Sequence, residues 1–423
     1  MLFRSLLCRS FDMTHEASNL KGIPFSLFLV MTLQFAVGGA VLPFMSMWLE
    51  EKGLSFSEIS LIFSVASTTF LVFPFLWGMI ADRYLPIEWM FFFLNGMAGV
   101  SMWWMQSQTE YGGLMLSFVF FYSFYHPTFT LINALSFQYL TQPKEQFGAV
   151  RAWGSVGWIL PSLVVFAWLL YHPNASLQFV LKVGMVSCLL TACSTLLLPR
   201  RVNQSPPDRS QASTAYWMAL KTLFRQTDYL VLLAAFFLVS ASFSFVVYYG
   251  PPYLRASGID QAWIGPIQCI GVILEIMLFP FLRNYLRRWG FATTLLVGCV
   301  CLFARHLVYY VSNNPWMLSL SYLLAGMVIV FFHIVASILV NMMAGKEVRA
   351  TAQTLLVVFG SGVGPMLSNY LAGVLTQQAG NSLRPVFGLG MLLAFGACLL
   401  IVSRYRSLAR YHVQNPGHST RPT

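Results

Sequence analysis

Long apolar segments recur through the whole chain, and this recurrence restricts its possible folds more than any other feature. Helix-length apolar segments begin near Pro24, Ser57, Pro86, Gly112, Arg151, Leu177, Tyr229, Trp263, Phe291, Trp316, Ala350 and Pro385. Because one helical crossing of a bilayer takes about 20 apolar residues, 423 residues allow about twelve crossings with short connections. The sequence therefore predicts an all-α polytopic membrane protein of twelve transmembrane helices, without a sizeable soluble domain.

Composition indicates that lipid surrounds most of the surface. Hydrophobic residues make up 57% of the chain and charged residues 9%, whereas a soluble domain carries roughly 25% charged residues. The formal net charge is +11, but the basic residues form no stripe or basic module, so we expect the lipid bilayer and not nucleic acid as a partner. The seven cysteines lie mostly in apolar segments without metal-type or disulfide-type spacing, so we predict a packing role and no metal.

The distribution of basic residues predicts the orientation. Alternate connections on one side, together with both tails, hold roughly nineteen of the 25 lysines and arginines. Since cytoplasmic connections are enriched in these residues, both termini are predicted to lie in the cytoplasm and the span count to be even. The first 21 residues include Arg4, Arg9 and Asp12, and they lack the apolar stretch of a cleavable signal peptide. We expect an integral protein of the bacterial inner (plasma) membrane.

A polar, proline-containing stretch divides the chain into two halves that resemble each other. Leu49-Glu-Glu-Lys-Gly-Leu-Ser-Phe-Ser-Glu-Ile59 matches Leu254-Arg-Ala-Ser-Gly-Ile-Asp-Gln-Ala-Trp-Ile264 at Leu, Gly and Ile, and Val-Arg-Ala occurs at both 150–152 and 348–350. These matches predict a parallel repeat with a solute site between the halves and access that alternates by rocking. The predicted units are a cytoplasmic tail 1–23, a six-helix bundle 24–198, a cytoplasmic linker 199–228, a second bundle 229–403 and a cytoplasmic tail 404–423.

A short motif between the second and third spans resembles a family signature. Gly78-Met-Ile-Ala-Asp82-Arg83 is similar to the Gly-x-x-x-Asp-Arg loop of the major facilitator superfamily, whose plan is also two six-helix bundles. The resemblance implies that Asp82 and Arg83 are conformational residues, which latch a cytoplasmic loop to neighbouring helix ends in one access state. A capped helix end is the alternative reading, and the sequence does not separate the two.

Further segments narrow the resemblance within that superfamily. Arg151-Ala-Trp-Gly-Ser155-Val-Gly-Trp158 resembles a segment shared by nucleoside:proton symporters and phenylpropionate permeases. The first half is closer to the nucleoside type, through 78–89 and 127–136; in the second half, 253–258 and 271–276 resemble the phenylpropionate type, and 349–353 the nucleoside type. The chain departs from the nucleoside symporters where it has Ser244 and Val247 in place of amide side chains, and Val330 in place of an aspartate.

The resemblance implies a substrate-binding role for Arg151. In the family segment, this arginine helps to position the substrate or a partner carboxylate from the cavity wall. Ser155 and Trp158 follow four and seven residues later, hence on the same helical face. A guanidinium, a hydroxyl and an indole on one face suit a flat solute with polar edges. An ordinary anchor at the cytoplasmic membrane surface is the alternative reading of Arg151.

Glu275 is the one acidic residue predicted near the middle of a span. An ionised carboxylate there costs about 2.5–3.5 kcal/mol on insertion scales, so Glu275 should be protonated, paired or facing a wet cavity, which suits a proton-coupling site. Arg305 lies about two turns into the ninth span and needs an anion, for which Glu275 is the candidate. Lactose permease, a more distant relative by resemblance, also pairs a glutamate of the eighth span with an arginine of the ninth. The alternative readings are a packing pair for Glu275 and a snorkelling side chain for Arg305.

Other polar residues in apolar spans complete the candidate site. His333 falls in the middle of the tenth span, and an unperturbed imidazole titrates near pH ~6.5, so we predict that it shares in proton transfer. Gln34, Tyr122 and Asn133 are predicted substrate-binding residues, because polar side chains within spans face the bundle interior more often than lipid. A histidine or amide that only bonds to a neighbouring helix is the alternative for each.

These observations predict a secondary active transporter that imports a small organic solute with protons, nucleosides being the leading substrate class. The proton gradient supplies the energy, no cofactor is expected, and we expect a monomer. The chain lacks His-Glu-x-x-His, Gly-x-Ser-x-Gly and Gly-x-x-x-x-Gly-Lys-Ser/Thr sequences, which argues against an enzyme and against ATP-driven pumping. Uptake of an aromatic carboxylate or a sugar, export of a drug or metabolite, and sensing with a partner output protein remain alternatives.

Overall fold

The computed structural model describes residues 23–141, 143–199, 218, 221–345 and 348–411, and every regular element in these ranges is helical. In the amino-terminal half, the helices are Phe25–Val41 and Met45–Glu51 (span 1), Phe56–Ser67 and Thr69–Arg83 (span 2), Ile87–Ser107 (span 3), Tyr111–Tyr139 (span 4), Pro143–Tyr171 (span 5) and Gln178–Thr195 (span 6). Most of the predicted linker 199–228 lies outside the described residues.

The carboxyl-terminal half repeats this plan, with π-helical turns in two spans. The helices are Thr227–Tyr248 and Gly250–Ala256 (span 7), Ile264–Leu278 with the first part of Leu282–Val311 (span 8), the rest of Leu282–Val311 (span 9), Pro315–Leu320, Tyr322–Val328, Ile329–Ile334 (π) and Val335–Met343 (span 10), Arg349–Val357, Val358–Val363 (π) and Gly364–Gln378 (span 11), and Arg384–Ser403 (span 12). A short helix, Tyr405–Leu408, follows.

A glycine separates spans 8 and 9. The apolar stretch Gln261–Val311 contains 51 residues, which at ~1.5 Å per residue would be more than twice as long as the bilayer core is thick. Gly290 has φ +74° and ψ 174° within the helix Leu282–Val311, so the chain reverses there and crosses twice. That backbone conformation favours glycine because it has no Cβ.

The described residues therefore contain twelve spans, and the predicted fold class is confirmed. Ten described stretches are long and apolar enough to cross a membrane, and one of them, Gln261–Val311, contributes two crossings. Ile87–Ser107 is not among the ten, but its 21 residues are long enough to cross. It includes the polar residue Asn95, which is fully buried and donates to its own helix at Phe91 O.

Glycines allow spans 1 and 5 to approach until their backbones touch. A Cβ added to Gly39 would collide with the carbonyl oxygen of Trp158, and one added to Gly157 would collide with the carbonyl oxygen of Thr32. Small residues at helix interfaces permit this close packing inside membranes. The start of span 5, which carries Arg151, is thus held rigidly against span 1.

The two halves meet mainly where spans 2 and 11, and spans 5 and 8, pack against each other. At the end of the bundle opposite the linker, Arg255 Nη2 forms an ion pair with Glu50 Oε2 at 2.5 Å, and Asn381 Oδ1 accepts a hydrogen bond from Phe56 N at 2.9 Å. Tyr249 lies one turn deeper; its hydroxyl donates to Asn369 Oδ1 at 2.8 Å and lies 2.9 Å from Ser60 Oγ across the boundary. We call this end the outer end, and these contacts close it.

Candidate functional site

Arg151 and Glu275 face each other across the boundary between the halves. Spans 5 and 8 run antiparallel, with Gly265 of span 8 next to Ser162 of span 5. Eleven residues along span 5 lead from Ser162 to Arg151, and ten along span 8 lead from Gly265 to Glu275, so the two side chains lie at the same depth. Their opposite charges attract each other. The halves thus each contribute one charge to a common site.

Span 1 holds the Arg151 side chain in place. Its guanidinium carbon lies 4.3 Å from the centre of the Phe35 ring, which is a cation–π distance. Gly154, one turn along span 5, lies so close that an added Cβ would come within 2.9 Å of Arg151 Nη1 and 2.8 Å of the Phe35 ring. The guanidinium is therefore held against the Phe35 ring before any solute arrives, and the Glu275 carboxylate attracts it from the other half.

Gln34 joins spans 1 and 4 next to this pair. Its side chain is fully buried, and Nε2 donates to Thr128 Oγ1 at 2.6 Å. Tyr125 OH donates to the main-chain oxygen of Gln34 at 3.3 Å. Gln34 Oε1 is buried without a hydrogen-bond partner among the described atoms. A buried unpaired acceptor is costly, so Oε1 is suited to accept a hydrogen bond from a solute.

An aromatic group of spans 2 and 4 lies deeper along the same boundary. The His126 ring stacks on Phe70 with centroids 3.7 Å apart, and Tyr122 meets His126 edge-on at 4.1 Å. Tyr122 also interacts with Tyr248 of span 7, in the other half. That interaction is a side-chain hydrogen bond, whereas His126 Nδ1 is buried without a hydrogen-bond partner among the described atoms. A flat ring with an unsatisfied nitrogen suits an aromatic solute with hydrogen-bonding edges.

The remaining predicted binding residues occupy different settings. Ser155 is buried. The Trp158 ring packs on span 1, where a Cβ on Gly38 would come within 2.7 Å of it, and its Nε1 is buried without a partner in the described chain. Asn133 is exposed and lies two turns nearer the linker end than His126. The structure thus brings Arg151, Gln34 and Tyr122 to the boundary region and gives Trp158 a packing role in addition.

His333 lies in the π-helical turn of span 10. Its ring is edge-on to Phe236 at 5.2 Å and to Phe243 at 5.5 Å, and Nε2 is buried without a hydrogen-bond partner among the described atoms. π-Helical turns widen the helix and are frequent at functional sites. No described contact joins His333 to Glu275. A direct proton transfer between these two side chains is therefore not supported by this conformation.

The predicted pairing of Arg305 with Glu275 is wrong. Arg305 is 1% exposed inside the carboxyl-terminal bundle, and its guanidinium carbon lies 4.2 Å from the centre of the Tyr322 ring. Glu275 lies eleven residues from the outer start of its helix and Arg305 six from the outer end of its own, which is a difference in depth of ~7 Å. Glu275 is attracted to Arg151 instead.

The conformational residues Asp82 and Arg83 end the helix Thr69–Arg83, but their side chains lie outside the described part of the structure. The predicted latch therefore stays a prediction.

Two residues of this region were not predicted from the sequence. Thr128 accepts a hydrogen bond from Gln34, and the Tyr249 hydroxyl connects the two halves at the outer end. Thr128 follows Pro127 within an apolar helix, a polar position that could have been found; a tyrosine such as Tyr249 gives no comparable signal among 18 tyrosines.

Comparison with known proteins agrees with this architecture. The family described as nucleoside H⁺ symporter matches residues 21–406. The Escherichia coli (strain K12) protein named "Probable 3-phenylpropionic acid transporter" is 26% identical over 304 residues, covering 68% of this chain and 74% of its own length. The nucleoside permease NupG of the same organism is 24% identical over 354 residues, with coverages of 77% and 81%. A crystal structure of a NupG point mutant superposes with a TM-score of 0.77 at 20% identity, over 90% of this chain and 99% of that one.

Proposed function

The chain belongs to the nucleoside H⁺ symporter family and is an integral membrane transporter, and on that premise we propose that it imports nucleosides with protons by alternating access. The observation that carries this proposal is the Arg151–Glu275 pair at the boundary between the halves. A carboxylate shared between two bundles that rock against each other can exchange protons with both sides of the membrane in turn.

The pair couples the proton to the solute through charge balance. With Glu275 ionised, its attraction to Arg151 leaves no net charge at the boundary, and the empty carrier can reorient. Protonation of Glu275 removes that attraction and leaves the guanidinium charge without a counter-charge. A protonated carrier without solute would hold a partly buried, uncompensated arginine, which is costly. Solute that satisfies the guanidinium donors stabilises the protonated form, so the two travel together.

Recognition of a nucleoside is supported by the polar and aromatic groups on the amino-terminal half. We assign Arg151 and Gln34 Oε1 to the polar edge of the solute, as donor and acceptor. The ring group of His126, Tyr122 and Phe70 would contact its flat base, since aromatic faces stack on such rings. Ser155 is assigned to the pocket wall, and Asn133 to the path that leads to it.

The outer end of the transporter is closed. In the orientation that we propose, both termini and the linker face the cytoplasm of a bacterial cell and the outer end faces away from it. In that orientation the Glu50–Arg255 ion pair and the Tyr249 contacts close the side that faces away from the cytoplasm. The proton gradient would drive transport, without a bound cofactor, and one chain would suffice.

Labelled uridine and phenylpropionate uptake into proteoliposomes tests the substrate class. Uridine accumulation that requires an inward pH gradient, and that is inhibited by other nucleosides but not by phenylpropionate, is the expected result. Failure of uridine to enter under any gradient would refute the nucleoside assignment. Uridine uptake that is the same with and without the pH gradient would refute proton coupling, but it would not refute the assignment of nucleosides as substrates.

Uptake of an aromatic carboxylate is a second candidate function. The 26% identical relative carries this substrate class in its name. Arg151 is the cation at the half boundary, and a substrate carboxylate could take the place of the Glu275 carboxylate beside it. Phenylpropionate uptake that exceeds uridine uptake under the same pH gradient would favour this candidate.

A further inference from the structure

A cavity at the outer end crosses the boundary between the halves, and the proposed transport cycle does not use it. Its volume is about 380 Å³, and it lies between spans 2 and 4 of the amino-terminal half and span 11 of the carboxyl-terminal half. One wall is a contact between the halves, where a Cβ added to Gly373 would lie 3.2 Å from Ser60 Cβ and 3.3 Å from the main-chain oxygen of Ser57. Ligand pockets commonly occupy about 300–1,000 Å³, so this cavity has room for a small chemical group.

The rim of the cavity is polar and carries one negative charge. Glu58 is two residues from the start of its helix, Tyr111 is the first residue of span 4, and Gln377 is one residue from the end of span 11. All three therefore lie at the level of the outer helix ends, which is the membrane surface. Glu58 is the one charged residue among the described residues that line the cavity. The rim therefore attracts a cation.

Glu58 is held in position by its own helix. Its Oε2 accepts hydrogen bonds from Ser55 N at 2.9 Å and from Ser55 Oγ at 2.7 Å, as part of a capping box. Its Oε1 accepts no hydrogen bond from the described chain, and neither ion pair between described residues includes Glu58. The carboxylate thus has a defined direction, and one of its oxygens is available to a ligand.

Hydrogen-bond donors lie next to this carboxylate. The Tyr111 hydroxyl is buried without a hydrogen-bond partner among the described atoms, and it is close enough to Glu58 to feel its charge. Ser57 and Gln377 line the same rim and carry a hydroxyl and an amide. A buried hydroxyl without a partner is costly, so a ligand that brings an acceptor to Tyr111 would be stabilised. The rim thus offers a carboxylate to a cation and donors to an adjacent anionic group.

The deeper part of the cavity is apolar and faces lipid. Leu61 lies about one helical turn below Glu58, and Tyr370 lies about two turns below Gln377. These two side chains are 39% and 55% exposed, and Leu371 next to Tyr370 is also exposed. Exposed apolar and aromatic side chains just below the ends of membrane helices contact lipid. Polarity therefore falls from the rim toward the membrane interior, as it does along a phospholipid molecule.

From this arrangement we propose that the cavity binds the headgroup of phosphatidylethanolamine, with its ammonium group on Glu58 and its phosphate on Tyr111 and Gln377. A zwitterion satisfies the carboxylate and the donors together. Phosphatidylglycerol brings no cation to Glu58, and the trimethylammonium group of phosphatidylcholine has no N–H to donate. The headgroup would contact spans of both halves at the closed outer end. The site is separate from Arg151 and Glu275, and it does not depend on which solute is transported.

Lipid titration of the purified full chain in detergent tests this site. Radiolabelled dioctanoyl phosphatidylethanolamine should bind saturably and should raise the unfolding midpoint, as for a ligand that binds the folded state alone. Dioctanoyl phosphatidylglycerol and phosphatidylcholine have the same chains, so they control for insertion of the tails and should not saturate. Equal saturable binding of all three lipids would overturn the headgroup assignment. Equal stabilisation by O-phosphoethanolamine, which has no chains, would overturn the assignment to a lipid.

Two variants locate the bound lipid. Glu58→Gln removes the charge, and because glutamine can also form the capping box, the start of span 2 should be preserved. It should raise the half-saturating lipid concentration about tenfold or more. Leu61→Trp fills the apolar part of the cavity without changing a charge, and it should also weaken binding. Glu110→Gln is the matched control, because Glu110 is an exposed glutamate next to Tyr111 that is not among the residues lining the cavity.

The comparison of these variants decides between the cavity and other positions. Wild-type affinity in both Glu58→Gln and Leu61→Trp would place the lipid elsewhere and overturn the proposal. An equal loss of affinity in Glu110→Gln would assign the effect to the general charge of the outer surface, which would overturn it as well. Displacement of the lipid by uridine would assign the cavity to the transported solute, again contrary to the proposal.

Discussion

Tyr249→Phe should open the outer end of the transporter. The Tyr249 side chain is fully buried, donates to Asn369 Oδ1 at 2.8 Å and lies 2.9 Å from Ser60 Oγ in the other half. The substitution keeps the ring but leaves Asn369 Oδ1 buried without that donor in the closed state. Opening the outer end lets water satisfy this oxygen, so the penalty falls on the closed state alone.

The size of the effect follows from the cost of an unpaired buried acceptor, about 1–3 kcal/mol. The ratio of outward-facing to inward-facing molecules should therefore rise about 5- to 150-fold. Spin labels at Asn174 and Ala256, exposed positions at the outer ends of opposite halves, report this ratio in a variant whose native cysteines are replaced. Pulsed electron paramagnetic resonance should show a larger fraction of long distances between the labels in Tyr249→Phe.

Tyr253→Phe provides the matched control. Its hydroxyl donates to Asn313 Oδ1 at 2.7 Å, within the carboxyl-terminal half, so its loss should not separate the halves. The reasoning would be refuted if Tyr249→Phe gave the wild-type distance distribution, or if Tyr253→Phe shifted the distribution equally.

Three further changes test the packing and the outer contacts. Arg255→Gln breaks the half-exposed pair with Glu50; it should shift the same distances only a few-fold, since such pairs contribute about 0–1 kcal/mol, and 1 M salt should reproduce the shift in wild type. Gly39→Ala should lower the unfolding midpoint through about 1–3 kcal/mol of overpacking, whereas Gly96→Ala, with open space around it, should not. Thr128→Val removes the hydroxyl that joins span 4 to span 1 and should raise the KM for uptake several-fold; an unchanged KM would exclude this residue from the site.

Most of the fold could be predicted because membrane spans are encoded locally. An apolar segment of sufficient length must form a helix in lipid, so twelve starting points along the chain predict twelve spans. The chain reversal at Gly290 could also be predicted from the sequence, because it follows Arg287 and Arg288 between two apolar segments. The π-helical turns in spans 10 and 11 could not be predicted in this way, because they depend on packing against neighbouring helices and not on the segment itself.

The candidate site could be predicted only in part, because the sequence does not show which helices face each other. Glu275 stands out in the sequence because a carboxylate within a span is costly wherever it points. The partner of Glu275 depends on depth and on which helix lies opposite, and antiparallel spans 5 and 8 bring Arg151 there. Arg305, the cation expected for this role, is at another depth and contacts Tyr322. The charged residues can be identified from a sequence, but which of them pair depends on how the helices pack.

The most direct test of coupling through Glu275 compares two transport modes of Glu275→Gln in proteoliposomes. The amide mimics the protonated acid, so the variant should exchange internal for external uridine at equilibrium but should not accumulate uridine in response to a pH gradient. Loss of accumulation with retained exchange is the result that the proposed mechanism predicts. Accumulation driven by the pH gradient at the wild-type level in Glu275→Gln would contradict it, and would show that the coupled proton binds elsewhere.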